Sequence, residues 1–225
     1  MTLIGDLFKL LGTADEIVVD NYDGAEDGSE PLSNGEYLLI PELDFDLFKT
    51  LKIQKFNAVI AGGSCIRWYQ GLPVKNHDID LWFNSVTDRT AFIENLISNP
   101  SVQIEDEHET ANAITYKIKF NKNKIYRIQT IKTLYKDIYS LIDNFDITVC
   151  KIATDGNTWF LGENTVKHIK NKKLVIDKPT EITPKRFMKY WAYGFEPDVE
   201  TIELVKNIQN GQWDYSNAGL EDDYL

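Results

Sequence analysis

Only two of the 225 residues are cysteine, Cys65 and Cys150, so no disulfide framework holds this chain and a packed core has to. Histidine is nearly as scarce: His77, His108 and His168 share no spacing suited to a metal site. No apolar run approaches the ~20 residues of a membrane span. Nor does a basic segment near Met1 lead into a signal-like apolar stretch, so a cytoplasmic protein without a membrane partner is expected. Positive charge is in deficit. With 24 Lys and Arg against 35 Asp and Glu, the formal charge is -11, and a pI near 4.8 argues against generic nucleic-acid binding.

What is present is an ordinary globular composition, 43% hydrophobic and 26% charged, in a chain long enough to bury a substantial core. The acid is unevenly placed. Residues 1–50 hold twelve Asp or Glu against Lys9 and Lys49, which suggests a short helix over Leu3–Leu11 and an acidic arm able to meet a protein partner. Residues 116–136 hold seven Lys or Arg and no acid, and residues 166–190 hold eight against Asp177 and Glu181. These two stretches keep a local RNA-binding groove open as an expectation. Three regions follow: an acidic N-terminal helix and arm over 1–44, a central domain over 45–162, and a basic linker with C-terminal helices over 163–225.

The chain is organised around residues 56–84, FNAVIAGGSCIRWYQGLPVKNHDIDLWFN. An apolar strand over Phe56–Ala61 breaks at Gly62-Gly63-Ser64, where a helix can begin. Two glycines let backbone approach a ligand, and the amides of a new helix favour an anion such as a triphosphate. Arg67, three residues after Ser64, faces the same side. The chain returns as Asp78-Ile79-Asp80-Leu81, where strand period puts both carboxylates on one face and Ile79 and Leu81 in the core. Paired carboxylates beside a phosphate cradle suit a hard divalent cation. Asp44-Phe45-Asp46 has the same spacing without the glycines and serves as an internal control. Cys65, at the helix start, is placed where a thiolate would be favoured.

Elsewhere, helices are expected over Asp44–Leu51 (capped by Asp44), Thr87–Ser98 (Phe92, Leu96 and Ile97 inward), Leu134–Ile142, Thr183–Gly194 and Asp198–Asn210. Ala113–Phe120 and Ile125–Ile131 read as a hairpin, and Trp159–Leu161 as a short strand. Phe145–Ile152 reads as a β-branched strand carrying Cys150 as a core residue and Asp146 as an acid that needs a partner or a metal. Lys185, Arg186 and Lys189 are placed to reach a phosphate backbone, with an acidic, aromatic tail after Trp213.

At the glycine turn and the Asp-x-Asp pair the chain resembles the nucleotidyltransferase superfamily with the polymerase β-type fold. It looks most like the head of tRNA nucleotidyltransferases and bacterial poly(A) polymerases. Their pattern is an apolar strand, Gly-Gly, a Val-Arg-Asp helix start, Leu-Leu-Gly and Asp-x-Asp. Gly62-Gly63, Ile66-Arg67, Gly71 and Asp78-x-Asp80 follow that order, with departures at Cys65 and Trp68. The chain is also similar to small nucleotidyltransferase-like proteins of phages and large DNA viruses, in which host cytoplasm or a virion would be the location. The resemblance covers roughly residues 45–160.

It implies an α+β fold, a mixed β-sheet packed with helices, plus a small C-terminal helical appendage. It implies an enzyme that moves a nucleoside monophosphate from an NTP to an acceptor hydroxyl, releasing pyrophosphate. Two Mg²⁺ or Mn²⁺ ions would be held by Asp78, Asp80 and Asp146, the last supplying the third carboxylate from a later strand. Gly62, Gly63, Ser64, Arg67 and Lys75 would hold the nucleotide. An RNA 3′ end is the first acceptor expected, a protein or small molecule the others. Only 45 residues follow position 180, too few for the large helical neck and body of those RNA enzymes. The alternative is a catalytically silent relative serving as a viral structural or regulatory interaction module.

Overall fold

The computed structural model describes residues 42–74, 77–120 and 124–213. The expected N-terminal helix and acidic arm, Lys75, the hairpin turn and the tail past Trp213 lie outside the described residues.

Helix α1, Glu42–Leu51, buries Leu47, Phe48 and Leu51 and leads through a 3-10 turn at Ile53–Phe56 into strand β1, Ala58–Ala61. Phe56 thus belongs to the turn, and the strand starts two residues later than its apolar run suggests. All four β1 residues are buried, as expected of a strand covered on both faces. Helix α2, Gly63–Tyr69, follows the glycines; strand β2 is Asp78–Phe83, with Ile79, Leu81 and Phe83 alternating into the core.

Helix α3, Val86–Ser98, is capped by Ser85, whose hydroxyl accepts from the Asp88 amide at 3.1 Å. It buries Phe92 and Leu96, whereas Ile97, expected inward, is 57% exposed, lying a residue beyond the buried stripe. Strands β3 (Val102–Glu109), β4 (Ala113–Phe120) and β5 (Lys124–Leu134) form a meander. The polar run after Ser101 is therefore a strand, paired with β4 at the sheet edge with a shift in register at Glu105.

Helix α4 is confined to Ile138–Asp143 because Leu134 still belongs to β5 and Asp137 caps the helix, accepting from the Ser140 amide. Two short strands follow, β6 (Ile152–Thr154) and β7 (Trp159–Leu161). The basic linker contains helix α5, Thr165–Lys170, and strand β8, Lys173–Leu174. Helix α6, Thr183–Ala192, begins with Pro184 in its first turn, as a helix start favours, and strand β9 is Glu196–Pro197. Helix α7, Val199–Gln209, is capped by Asp198.

The seven-stranded sheet runs β3-β4-β5-β2-β1-β6-β7, and β2–β5 is its parallel pair among antiparallel neighbours. That order puts the Asp-x-Asp strand near the middle, between β1, which leads into the glycine turn, and β5. The C-terminal helices share the sheet's core: Phe187, Tyr190, Phe195, Ile202 and Val205 belong to the same buried cluster as Ile60, Trp68 and Ile79. No helix among the described residues is long and apolar enough to cross a membrane.

Candidate active site

Gly62 ends β1 with φ of 85°, a left-handed conformation that suits glycine and strains other residues. Gly63 is favoured for a different reason. A Cβ there would lie 3.3 Å from the Tyr190 hydroxyl and 3.9 Å from Lys189 Nζ. Helix α6 is thus packed directly over the glycine turn.

Between them is a cavity of about 200 Å³ lined by Gly62, Gly63, Ser64, Arg67, Asp78, Asp80 and Asp146, together with Gln129, Arg186, Lys189 and Tyr190. Stretches far apart in sequence meet there. Lys75, the remaining expected nucleotide contact, lies outside the described residues.

Asp80 sits at the centre of the charge distribution. Burial, and then the charge of Asp78, raise its pKa to about 7, against the opposing pull of Lys189 and Arg186. Three buried oxygens in the pocket have no hydrogen-bond partner among the described residues: Ser64 Oγ, Asp78 Oδ1 and Asp80 Oδ1. Ser64 is only 1% exposed. An unsatisfied buried polar atom is costly, so three in residues that line one cavity call for a partner there, water or ligand. Arg127 Nε lies 3.0 Å from Asp78 Oδ1, but the oxygen has no aligned hydrogen bond, so the contact is one of charge.

Asp146 reaches the cavity by another route than expected. Residues 145–152 do not form a strand: Ile147 makes an isolated bridge with Ile176, Thr148–Cys150 is a 3-10 turn, and pairing with β1 begins only at β6. The reason is that Asp146 and Thr148 find their partners off the sheet. Thr183 donates to Asp146 Oδ2 at 2.7 Å and Arg186 Nη1 to Oδ1 at 3.1 Å, while Thr148 Oγ1 bonds His168 Nδ1 at 2.7 Å. Both Asp146 oxygens are thereby engaged. Among the described residues no group of three or more His, Cys, Asp or Glu is arranged to hold a metal ion.

Other expectations change in detail. Arg67 lines the cavity, but its Nε donates to the Pro73 carbonyl at 2.7 Å, fastening the loop that leads to β2. Cys65 is fully buried and donates to the Ile60 carbonyl; burial, then Asp80, hold its pKa well above the usual thiol value, so the expected thiolate is not formed. Cys150 is buried as expected, though in the 3-10 turn, and burial raises its pKa to about 12. Asp44 does not cap α1. It lies inside the helix, 5% exposed, and accepts from Trp68 Nε1 at 2.6 Å. That bond accounts for the tryptophan at one of the family-pattern departures: Trp68 points into the core and away from the cavity.

The basic stretches are partly spent on internal pairs. Lys117 meets Glu105 at 3.2 Å, Lys132 meets Glu109 at 2.7 Å, and Lys178 meets Asp143 at 2.7 Å. Lys151, 3% exposed, is held by Asp143 and Asp177. Arg127 and Gln129 were missed in sequence. Their alternation with buried Ile128 marks a face of β5, but only the parallel register sets them opposite Asp78 and Asp80.

The fold is that of nucleotidyltransferases. A solved tRNA-processing enzyme in its apo form superposes with a TM-score of 0.58 at 16% identity, over 78% of this chain and 49% of its own. A CCA-adding enzyme with CTP does so at 0.53 and 18%, over 77% and 44%. A tRNA nucleotidyltransferase complexed with a primer tRNA and an incoming ATP analog gives 0.52 and 15%, over 72% and 50%. This chain therefore spans half or less of each of these structures. No curated protein matches the sequence. The family model described as Gabija anti-defense 2 family protein matches residues 40–172, a span that takes in β1, the glycine turn, the Asp-x-Asp strand and Asp146. With more than half of its residues matched by that model, and its pocket inside the match apart from α6 and the turn after it, the chain belongs to the Gabija anti-defense 2 family.

Proposed function

We propose that this protein is a metal-dependent nucleotidyltransferase. It transfers a nucleoside monophosphate from an NTP to an acceptor hydroxyl, releases pyrophosphate, and by that reaction counters the Gabija defence for which its family is named. The observation that carries this reading is the set of three buried oxygens without a hydrogen bond, on Ser64, Asp78 and Asp80, in residues that line one cavity beside the glycine turn.

The donor set fits a hard cation. Magnesium is commonly held by one or two carboxylates with substrate phosphates completing its shell, and Asp78 and Asp80 would be those carboxylates. When bound, the cation would lower the pKa of the acceptor hydroxyl and offset charge on the α-phosphoryl group. The chain's own residues supply positioning. Gly63, having no side chain, lets phosphate come up to the backbone, and the Ser64 hydroxyl is free to donate to it. Lys189, on α6, places positive charge over the same turn. Asp80, with a pKa near 7, gives up its proton as positive charge arrives.

The acceptor is an RNA 3′ end or a protein of the defence system; the solved neighbours include a complex with a primer tRNA. One observation favours a silent interaction module instead: Asp78 and Asp146 already face Arg127 and Arg186. The test is incubation with each α-labelled NTP, Mg²⁺, RNA and defence proteins. Label appearing in one acceptor, and lost in Asp80→Asn, supports the transferase. NTP binding without transfer to any acceptor favours the silent module.

A further inference from the structure

Strand β5 pairs with the Asp-x-Asp strand, and its residues opposite the two carboxylates are not acidic. Its parallel register sets Arg127 opposite Asp78 and Gln129 opposite Asp80. Arg127 is held in this position by its other neighbour. Across the β4–β5 pair it faces Lys117, a like charge, and Lys117 is itself drawn 3.2 Å to Glu105 on β3. Like charges directly opposite on a sheet repel, so Asp78 is left as the counter-charge for Arg127, 3.0 Å away.

Asp146 does not make up the difference. Both its oxygens are bonded, to Thr183 and Arg186, and releasing either would leave an unpaired buried charge. The three carboxylates of the pocket are thus matched by Arg127, Arg186 and Lys189. Ser64 Oγ and Asp80 Oδ1 have no partner among the described residues, and Asp78 Oδ1 has only the charge of Arg127 without a hydrogen bond, so the three make one site.

We propose that this pocket takes a single divalent cation, between Asp78 and Asp80, and that Arg127 occupies the place and supplies the charge of a second. The inference rests on the nucleotidyltransferase reading and changes its chemistry. A fixed guanidinium needs no loading, but it cannot lower a hydroxyl's pKa by coordination. The one cation alone would then lower the acceptor hydroxyl's pKa, and its proton would pass to water.

The test is to count Mn²⁺ bound to the full chain by electron paramagnetic resonance, at saturating non-hydrolysable α,β-methylene NTP analogues. One Mn²⁺ per chain is expected for the wild type. Arg127→Glu, which puts a carboxylate on β5, should bind two. Arg127→Gln should still bind one, about tenfold more tightly, because a neighbouring positive charge is gone. The Arg127 side chain is 52% exposed, so both variants should fold, which circular dichroism checks; if the glutamate variant fails, the glutamine variant carries the test. Two Mn²⁺ in the wild type would overturn the proposal. An unchanged count in Arg127→Glu, or unchanged affinity in Arg127→Gln, would overturn the role given to Arg127. No Mn²⁺ bound with any analogue would instead sink the nucleotidyltransferase reading itself.

Discussion

Arg186 and Asp146, forty residues apart, form an ion pair in which Nη1 lies 3.1 Å from a carboxylate oxygen that is almost wholly buried. This pair ties α6 to the floor of the cavity. It also decides the character of Asp146, which is an anchor for the C-terminal helices as well as part of the pocket wall.

Arg186→Ala leaves that carboxylate with Thr183 alone. The expected cost is about 3 kcal/mol, the low end for a broken buried pair, since the Arg186 side chain is itself 42% exposed. Adding Asp146→Asn to Arg186→Ala should return part of the loss, because the stranded charge is then removed. Urea unfolding of the two single variants and the double variant measures both effects. A double variant less stable than Arg186→Ala alone would show that the pair is not what holds the helix.

Asp80 makes stability depend on pH with a definite sign. Its pKa rises from 3.8 unfolded to about 7 folded. Below pH 4 both states are protonated and nothing is lost. Between about 4 and 7 the unfolded chain ionises while the folded one keeps its proton, so stability falls as pH rises. Above 7 the slope ends with the penalty fully present. Asp80→Asn should therefore melt higher than wild type at pH 8 and no higher at pH 4. Each kcal/mol of relief corresponds to roughly 2–4 °C. Equal melting offsets at both pH values would refute the shift.

Trp68→Phe removes the donor to Asp44 while keeping an aromatic ring in the core. Asp44, whose pKa burial already raises, would lose its 2.6 Å bond. The expected destabilisation is about 1 kcal/mol, the worth of one lost hydrogen bond, because Tyr126 still bonds the carboxylate. Trp68→Asp, which restores the residue of the family pattern, should be worse: it sets two carboxylates together in the core. Thermal melts order the two variants.

Gly63→Ala tests the close approach of α6. The added methyl would stand 3.3 Å from the Tyr190 hydroxyl, so Tyr190 must give way by a few tenths of an ångström. A modest loss of stability, about 1 kcal/mol, is expected. Nucleotide affinity should fall by about tenfold, equivalent to 1.4 kcal/mol. Calorimetric titration with an NTP analogue checks it, and unchanged affinity would show that the turn does not meet the phosphates.

The glycine turn, the Asp-x-Asp strand and the C-terminal helix starting at Thr183 were legible because each is written in local terms. Glycine punctuation, period-two alternation and Pro184 near a helix start act over a few residues, and Ile79, Leu81 and Phe83 are buried as the alternation requires. Asp146 was legible as an acid needing a partner, and it has two.

What sequence could not decide was who stands beside whom. Nothing within a few residues of Arg127 says that β5 runs parallel to β2, so its meeting with Asp78 is invisible until the strands pair. The 145–152 segment looked like a strand because β-branched residues favour one. Thr183, Arg186 and His168, distant in sequence, offered its polar side chains better partners off the sheet. Local propensity is set by neighbours along the chain and determined most of the elements. The charge balance of the pocket is set by neighbours across it, and only the tertiary structure brought Arg127, Arg186 and Lys189 to the carboxylates.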